Sequence, residues 1–160
     1  MNSYILKYPF KSRINGEDVM IEELNIPEFI TVGMFRSVKS QGTDIVKSSD
    51  ILTACSGIKK NDANFLQVSD ILGYINELNS LELLEFNEEC NSELSKTIDT
   101  IKPVMILVKK ITVNIDESVE FACQVLELNG HKKEVLNAMD IREFMPAVSR
   151  VIEVFTTGKH

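Results

Sequence analysis

Apolar and polar residues alternate with a period of two near the N-terminus, which is typical of a β-strand. The alternation covers residues 3–11, and Pro9 within it favours an edge strand because proline has no N–H to donate to a neighbour. Asn15-Gly16 follows, the pair that most often forms a tight hairpin turn. A return strand over residues 18–24 is expected to place Val19, Ile21 and Glu23 on one face. The alternating residues of the first strand are Tyr4, Leu6, Tyr8 and Phe10.

Beyond this predicted β-hairpin, apolar residues recur every three or four positions, which is the period of amphipathic helices. A helix is predicted from Pro27 to about residue 40, because proline is favoured in the first helical turn. A second helix is predicted over residues 44–56, ended by Gly57 in the left-handed conformation. Asp70 is expected to cap a third helix that continues to about residue 81.

The second half of the chain has the same order of signals. Pro103 is expected to begin a helix, and another starts near Asn114 and ends at Gly130. Asp140 is expected to cap the last helix, and Pro146 inside that helix predicts a bend near residues 142–145. The two halves are therefore interpreted as a duplication, although unrelated helix pairs also share such start and stop residues. The last helix carries an apolar stripe of Ile141, Phe144, Met145, Val148, Val151, Ile152 and Phe155.

These patterns predict a mainly α protein with an N-terminal β-hairpin, an α+β chain with two consecutive helical units. The first unit, residues 1–81, contains the hairpin, and the second covers residues 103–160. Residues 82–102 are expected to be an acidic linker or helix extension. The chain has 160 residues, 44% of them hydrophobic and 26% charged, which suits one or two globular domains.

The net charge of −7 is concentrated in one segment. Residues 77–99 contain seven acidic residues and one lysine, which together give six of the seven net negative charges. Because no basic face remains, binding to nucleic acid or to an anionic membrane is not expected. The acidic stretch is either a solvated helix end or, through Glu85, Glu88 and Glu89, a docking surface for a basic partner.

The sequence contains no recognisable catalytic or cofactor motif, so we expect neither an enzyme nor a bound metal or cofactor. Cys55, Cys90 and Cys123 are far apart and are interpreted as free thiols in a reducing compartment. No apolar run reaches the roughly 20 residues of a membrane span, and the N-terminal residues lack a signal-peptide core. Cytosolic localisation is therefore expected.

Two apolar sets are candidate protein-binding surfaces. The first is Tyr4, Tyr8 and Phe10 on the edge strand, which can pair with another chain. The second lies on the last helix, where a groove lined by three apolar residues is one interpretation. The alternative is that these residues pack in a core against Tyr74, Leu78 and Leu81. The three apolar residues of the last helix in both interpretations are Phe144, Val151 and Phe155.

The order of elements in residues 4–81 resembles the tail assembly chaperones of tailed bacteriophages. The resemblance is carried by the strand ending Tyr8-Pro9-Phe10, the Asn15-Gly16 turn, the second strand running into Pro27, and the helices marked by Gly57 and Asp70. The resemblance implies no catalytic residues, and Asn15, Gly16, Pro27, Gly57 and Asp70 map onto the family pattern as fold determinants. In the second half Gly130 corresponds to Gly57 and Asp140 to Asp70, and both are interpreted as fold determinants. The usual family members lack this second half.

If the resemblance holds, the chain is a non-enzymatic chaperone in the cytoplasm of the bacterial host. Its implied partner is the long apolar tape-measure protein, which it keeps soluble until tail tube protein displaces it. Two alternatives stay open. One is a structural or assembly subunit of a phage tail or baseplate hub, located in the virion. The other is an acidic regulator of a basic partner, and assembly of the chain into a homo-oligomer is left undecided.

Overall fold

The structure is a computed structural model that describes residues 2–38, 43–102 and 115–158. Over these residues the chain is mainly helical and begins with an antiparallel two-stranded β-hairpin, which confirms the predicted fold class. The strands are β1 (Asn2–Ile14) and β2 (Glu17–Ile26). The helices are α1 (Val32–Ser37), α2 (Asp44–Ser56), α3 (Lys60–Ala63), α4 (Val68–Ser80), α5 (Ser92–Thr100), α6 (Ile115–Leu128), α7 (Lys133–Asn137) and α8 (Ile141–Thr157).

The chain divides into two compact units. The first comprises Met1–Ile30 with Ser37–Leu83, and the second comprises Thr31–Arg36 with Leu84–His160. The residues predicted to be a linker thus belong to the second unit from Leu84 onward, and they include α5. The predicted start of a helix at Pro103 lies outside the described residues.

The predicted hairpin turn is confirmed. Asn15 and Gly16 connect β1 to β2 with φ values of 52° and 79°, which few residues other than asparagine and glycine adopt readily.

A bulge in β1 changes which residues of β2 face inward. Ile5 pairs with Glu23, but the next pair is Phe10 with Ile21, so four residues of β1 lie opposite one residue of β2. The inward positions of β2 therefore shift by one residue across the bulge. Leu24 and Ile26 are buried, Ile21 is half-buried and Glu23 is exposed, so the single face predicted through Val19, Ile21 and Glu23 is wrong.

In the first unit β1 packs on α4, and α2 packs on both α4 and β2. The predicted bounds of α2 are confirmed, with Leu52 and Cys55 buried and Gly57 ending the helix at φ 74°. The predicted cap at Asp70 is wrong. Gln67 is the N-cap residue of α4, and Asp70 lies within its first turn with a fully buried side chain.

The predicted helix start at Pro27 is also wrong. β2 continues to Ile26, which is fully buried, and the residue before a proline favours an extended backbone. The first helix, α1, begins only at Val32. The Thr31 hydroxyl accepts a hydrogen bond from the Met34 N–H at 3.0 Å and so caps the first turn.

In the second unit α5 and α6 pack against α8. The predicted stripe of α8 forms its buried face apart from Ile152, which is half-buried, and Ile141, Phe144 and Val151 are fully buried. Asp140 caps the helix by accepting from the Arg142 N–H, and Gly130 has a φ of 99° just after α6, so both predicted roles are confirmed.

Pro146 lies inside α8 and has no N–H to donate to the carbonyl of Arg142, four residues earlier. The backbone N–H of Asn87 takes that place and donates to the Arg142 oxygen at 2.9 Å. The acidic segment before α5 is thus hydrogen-bonded to α8 at its proline, while the predicted bend near residues 142–145 stays a prediction.

Both units contain a helix, a short helix and a second helix in that order. These are α2, α3 and α4 in the first unit and α6, α7 and α8 in the second. In each unit the two longer helices pack on each other. This shared order agrees with the proposed duplication, which stays a prediction.

Candidate protein-binding surfaces

The buried carboxylate of Asp70 holds the bulge of β1 in place. Its Oδ1 accepts hydrogen bonds from the Tyr4 hydroxyl at 3.1 Å and from the Lys7 N–H at 3.0 Å. Its Oδ2 accepts from the Tyr8 N–H at 3.1 Å. The bulge removes these backbone groups from the regular strand pairing, and one side chain of α4 supplies their acceptor.

Tyr4 is fixed from three sides. Its ring meets that of Tyr74 edge to face, with centroids 6.1 Å apart, and it lies directly over Gly73 of α4. A Cβ at Gly73 would overlap the Tyr4 hydroxyl oxygen, so only glycine allows this approach. Burial and the hydrogen bond to Asp70 raise the pKa of Tyr4. The Tyr74 hydroxyl donates to the Asn25 carbonyl at 2.7 Å, which ties α4 to β2.

A groove of about 580 Å³ lies beside the bulge. Residues of both strands line it, and we call it the bulge groove. Ile5 is 68% exposed and Met20 is 46% exposed, while Leu6 is buried at its base. The lining residues are Ile5, Leu6, Pro9, Met20, Ile21, Glu22 and Glu23.

A second apolar surface lies on the solvent side of α4. Phe65 is 67% exposed and its ring stacks on Phe10 of β1, with centroids 6.5 Å apart. Val68 and Leu72 are also exposed, and their spacing of four residues places them on one side of α4. We call Phe65, Val68 and Leu72 the outer α4 face. Such adjacent exposed apolar side chains are typical of binding surfaces.

The three residues predicted to form one binding surface, Tyr4, Tyr8 and Phe10, differ in their exposure to solvent. Tyr8 is 57% exposed and stands at the bulge. Phe10 is half-buried beside Phe65, and Tyr4 is half-buried with its hydroxyl bonded to Asp70. Of the three, Tyr8 alone presents most of its surface to solvent.

The interpretation in which Phe144, Val151 and Phe155 line a groove on the last helix is wrong. Phe144, Val151 and Phe155 are all buried, and the Phe155 ring packs edge to face on Phe121 with centroids 5.2 Å apart. Their burial supports the interpretation as core residues, and the core lies against α5 and α6. Packing against Tyr74, Leu78 and Leu81 stays a prediction.

The acidic side chains Glu85, Glu88 and Glu89 are exposed. Two of them, Glu88 and Glu89, line a groove of about 600 Å³ that also includes Pro146 and Arg150. We call it the acidic groove. Arg150 donates to the Asp99 carboxylate at 2.7 Å.

A nearly buried arginine connects α1 to α6 and α7. The Arg36 guanidinium donates to Glu120 at 2.7 and 2.9 Å, to Glu127 at 2.9 Å and to Asn137 at 3.0 Å. These hydrogen bonds raise the pKa of Arg36, so the side chain stays charged. Such bidentate pairing favours arginine over lysine and suits a structural role.

The thiols show no arrangement suited to catalysis. Burial raises the pKa of Cys55 to about 11 and that of Cys123 to about 12, so both stay protonated at neutral pH. Cys90 is half-buried, and its pKa is also raised by burial. Within residues 2–38, 43–102 and 115–158, no group of three or more potential ligands is positioned to hold a metal ion.

The described helices include none with the length and apolar character needed to cross a membrane.

Sequence reasoning missed the role of Asp70 and the exposure of Ile5, Met20, Phe65 and Leu72. An aspartate at the third position of a helix resembles a capping residue, and nothing local shows that its partners lie more than 60 residues away. A signal for the outer α4 face was nevertheless present, since apolar residues occur on both sides of this helix.

Comparisons with protein-family models, with curated proteins and with solved structures each found no match to this chain.

Proposed function

We propose that the chain is a phage tail assembly chaperone that binds the tape-measure protein and assists assembly of the tail tube. The observation that carries the proposal is the exposed apolar surface of the first unit. It consists of the bulge groove and the outer α4 face, both built on the hairpin-and-helix order that resembles the chaperone family.

This surface suits a holding role. A tape-measure protein exposes long apolar helical segments before the tube encloses it, and such segments aggregate unless their apolar faces are covered. Side chains such as Tyr8, Met20 and Phe65 offer adaptable apolar contact area. No covalent step is needed, so the proposed function is non-enzymatic and needs no cofactor. Its proposed location is the cytoplasm of the bacterial host.

The test is co-expression of the full chain with the tape-measure, tube and baseplate proteins of its own genome. The proposal predicts that tape-measure protein becomes soluble and co-purifies with the chain. If the tape-measure protein stays insoluble and unbound, the proposal is wrong.

A second candidate is a structural subunit of the tail or baseplate, which the hairpin favours. The hairpin is a two-stranded sheet, so each strand has an outer edge that can pair with a neighbouring subunit or a second copy. Mass spectrometry of purified particles separates the candidates, because a structural subunit is present in the virion whereas a chaperone is displaced during assembly and is absent from it.

A third candidate, a regulator that binds a basic partner, is favoured by the acidic groove. Charge reversal of Glu85, Glu88 and Glu89 would then abolish partner binding. Unchanged affinity in that variant would remove this candidate.

A further inference from the structure

We infer that the bulge groove binds amphipathic helical segments that combine apolar side chains with lysine or arginine. The inference rests on the proposed function, since it names the surface and the client chemistry of the same chaperone. It adds that recognition is selective for positive charge and is located on the hairpin.

The apolar part of the groove provides the contact area. Ile5 and Met20 rise on opposite strands, and both are more than 40% exposed. Pro9 lies on the bulge between them and buried Leu6 closes the base. A client side chain such as leucine that enters this space removes apolar surface from water on both partners, which favours binding.

The wall formed by β2 supplies the charge. Glu22 and Glu23 are adjacent there and line the groove, whereas Lys7 in the bulge and Lys11 opposite Met20 lie outside its lining. The Ser3 hydroxyl donates to Glu23 at 3.1 Å and orients that carboxylate across the strand pair. An apolar base with two carboxylates at its edge is complementary to an apolar segment flanked by cations, and it repels an acidic one.

The β1 side of the groove is held in place before the client arrives. Its bulge wall is held by the three hydrogen bonds to Asp70, and Tyr4 is held against Gly73. A preformed site loses less conformational freedom on binding than a flexible one, which strengthens affinity without additional contacts.

The test is fluorescence anisotropy with the full chain and two labelled probes. One is an amphipathic helical peptide composed of leucine and lysine, and the other has glutamate in place of every lysine. The inference predicts binding of the lysine peptide only. It also predicts that the double variant Glu22→Lys/Glu23→Lys weakens that binding by about tenfold or more, because attraction becomes repulsion.

The matched control is Glu88→Lys/Glu89→Lys, which makes the same change in net charge in the acidic groove. Its affinity for the lysine peptide is expected to stay within about twofold of the unmodified chain, because Glu88 and Glu89 do not line the bulge groove and exposed charges are screened by salt. Met20→Ser tests the apolar part and is expected to weaken binding by about fivefold. Glu22→Gln/Glu23→Gln replaces the charge-reversal pair if that pair does not fold.

Each other outcome overturns the inference. Equal loss in both charge-reversal pairs would show that only net charge matters, and loss in the Glu88/Glu89 pair alone would place the site in the acidic groove. Absence of binding to the lysine peptide would remove the site altogether. If the co-expressed tape-measure protein is still solubilised in any of these cases, the proposed function survives and only the groove is wrong.

Discussion

Removal of the Asp70 carboxylate should destabilise the first unit, because that one group accepts hydrogen bonds from three donors in β1. In Asp70→Ala the Tyr4 hydroxyl and the Lys7 and Tyr8 N–H groups lose their acceptor. A hydrogen bond to a charged group contributes about 1.5–3 kcal/mol, and a donor left unsatisfied in the interior costs a similar amount. Since Lys7 and Tyr8 have exposed side chains, water will reach part of the bulge.

We therefore expect Asp70→Ala to lower the free energy of unfolding by about 3–5 kcal/mol. Asp70→Asn keeps the side-chain volume and one acceptor oxygen, but its amide NH₂ then faces a backbone N–H, and two donors cannot form a hydrogen bond. Its expected cost is smaller, about 1–3 kcal/mol.

The assay is urea unfolding followed by circular dichroism, with unfolding of each unit fitted as a separate transition where two are resolved. Glu77→Ala is the matched control, since Glu77 lies on the same helix with its side chain exposed. It should change stability by less than about 0.5 kcal/mol. A cost below about 1 kcal/mol for Asp70→Ala would show that the bulge does not depend on this carboxylate.

Three further predictions concern α8. Ile141 is fully buried, so Ile141→Ala should cost about 2–4 kcal/mol in urea unfolding, and a cost below about 0.5 kcal/mol would contradict its core position. Burial opposes ionisation of Asp140, but the hydrogen bonds and charge of Arg142 outweigh it and lower the pKa of Asp140 below 3.8. Its stabilising effect should therefore be complete above that value and be lost as the pH falls through the lowered pKa, and Asp140→Asn should flatten the acid side of the curve of urea midpoint against pH. Pro146→Ala introduces a backbone N–H that competes for the Arg142 carbonyl, so amide hydrogen exchange at Asn87 should become faster. Unchanged exchange would show that the hydrogen bond from Asn87 to Arg142 does not depend on the proline.

The elements governed by local signals were predictable from the sequence. The period-two pattern with Asn15-Gly16 predicted the hairpin, because the turn residues and the strand alternation act within a few positions. The stripe on α8 and the stop at Gly57 were predictable for the same reason. They depend on helical periodicity and on the left-handed conformation, both of which are properties of a short segment.

The features that define the bulge groove were not predictable, because they depend on contacts between distant residues. Asp70 has the residue type of a helix cap, yet its partners are Lys7 and Tyr8 in a different element. The register shift opposite Glu22 reverses which residues of β2 face inward, and alternation alone does not reveal it. The helix predicted to start at Pro27 does not start there, because β2 continues into the core up to Ile26, and this outweighs the preference of proline for the first turn of a helix.

The most direct test of the central proposal is an aggregation assay on the tape-measure protein. That protein is diluted from denaturant into buffer with and without an equimolar amount of the full chain, and light scattering is recorded. The chaperone proposal predicts that the chain suppresses scattering and elutes with the tape-measure protein in gel filtration. If scattering is the same as with an unrelated acidic protein of similar size, the chain does not hold the tape-measure protein and the proposal is contradicted.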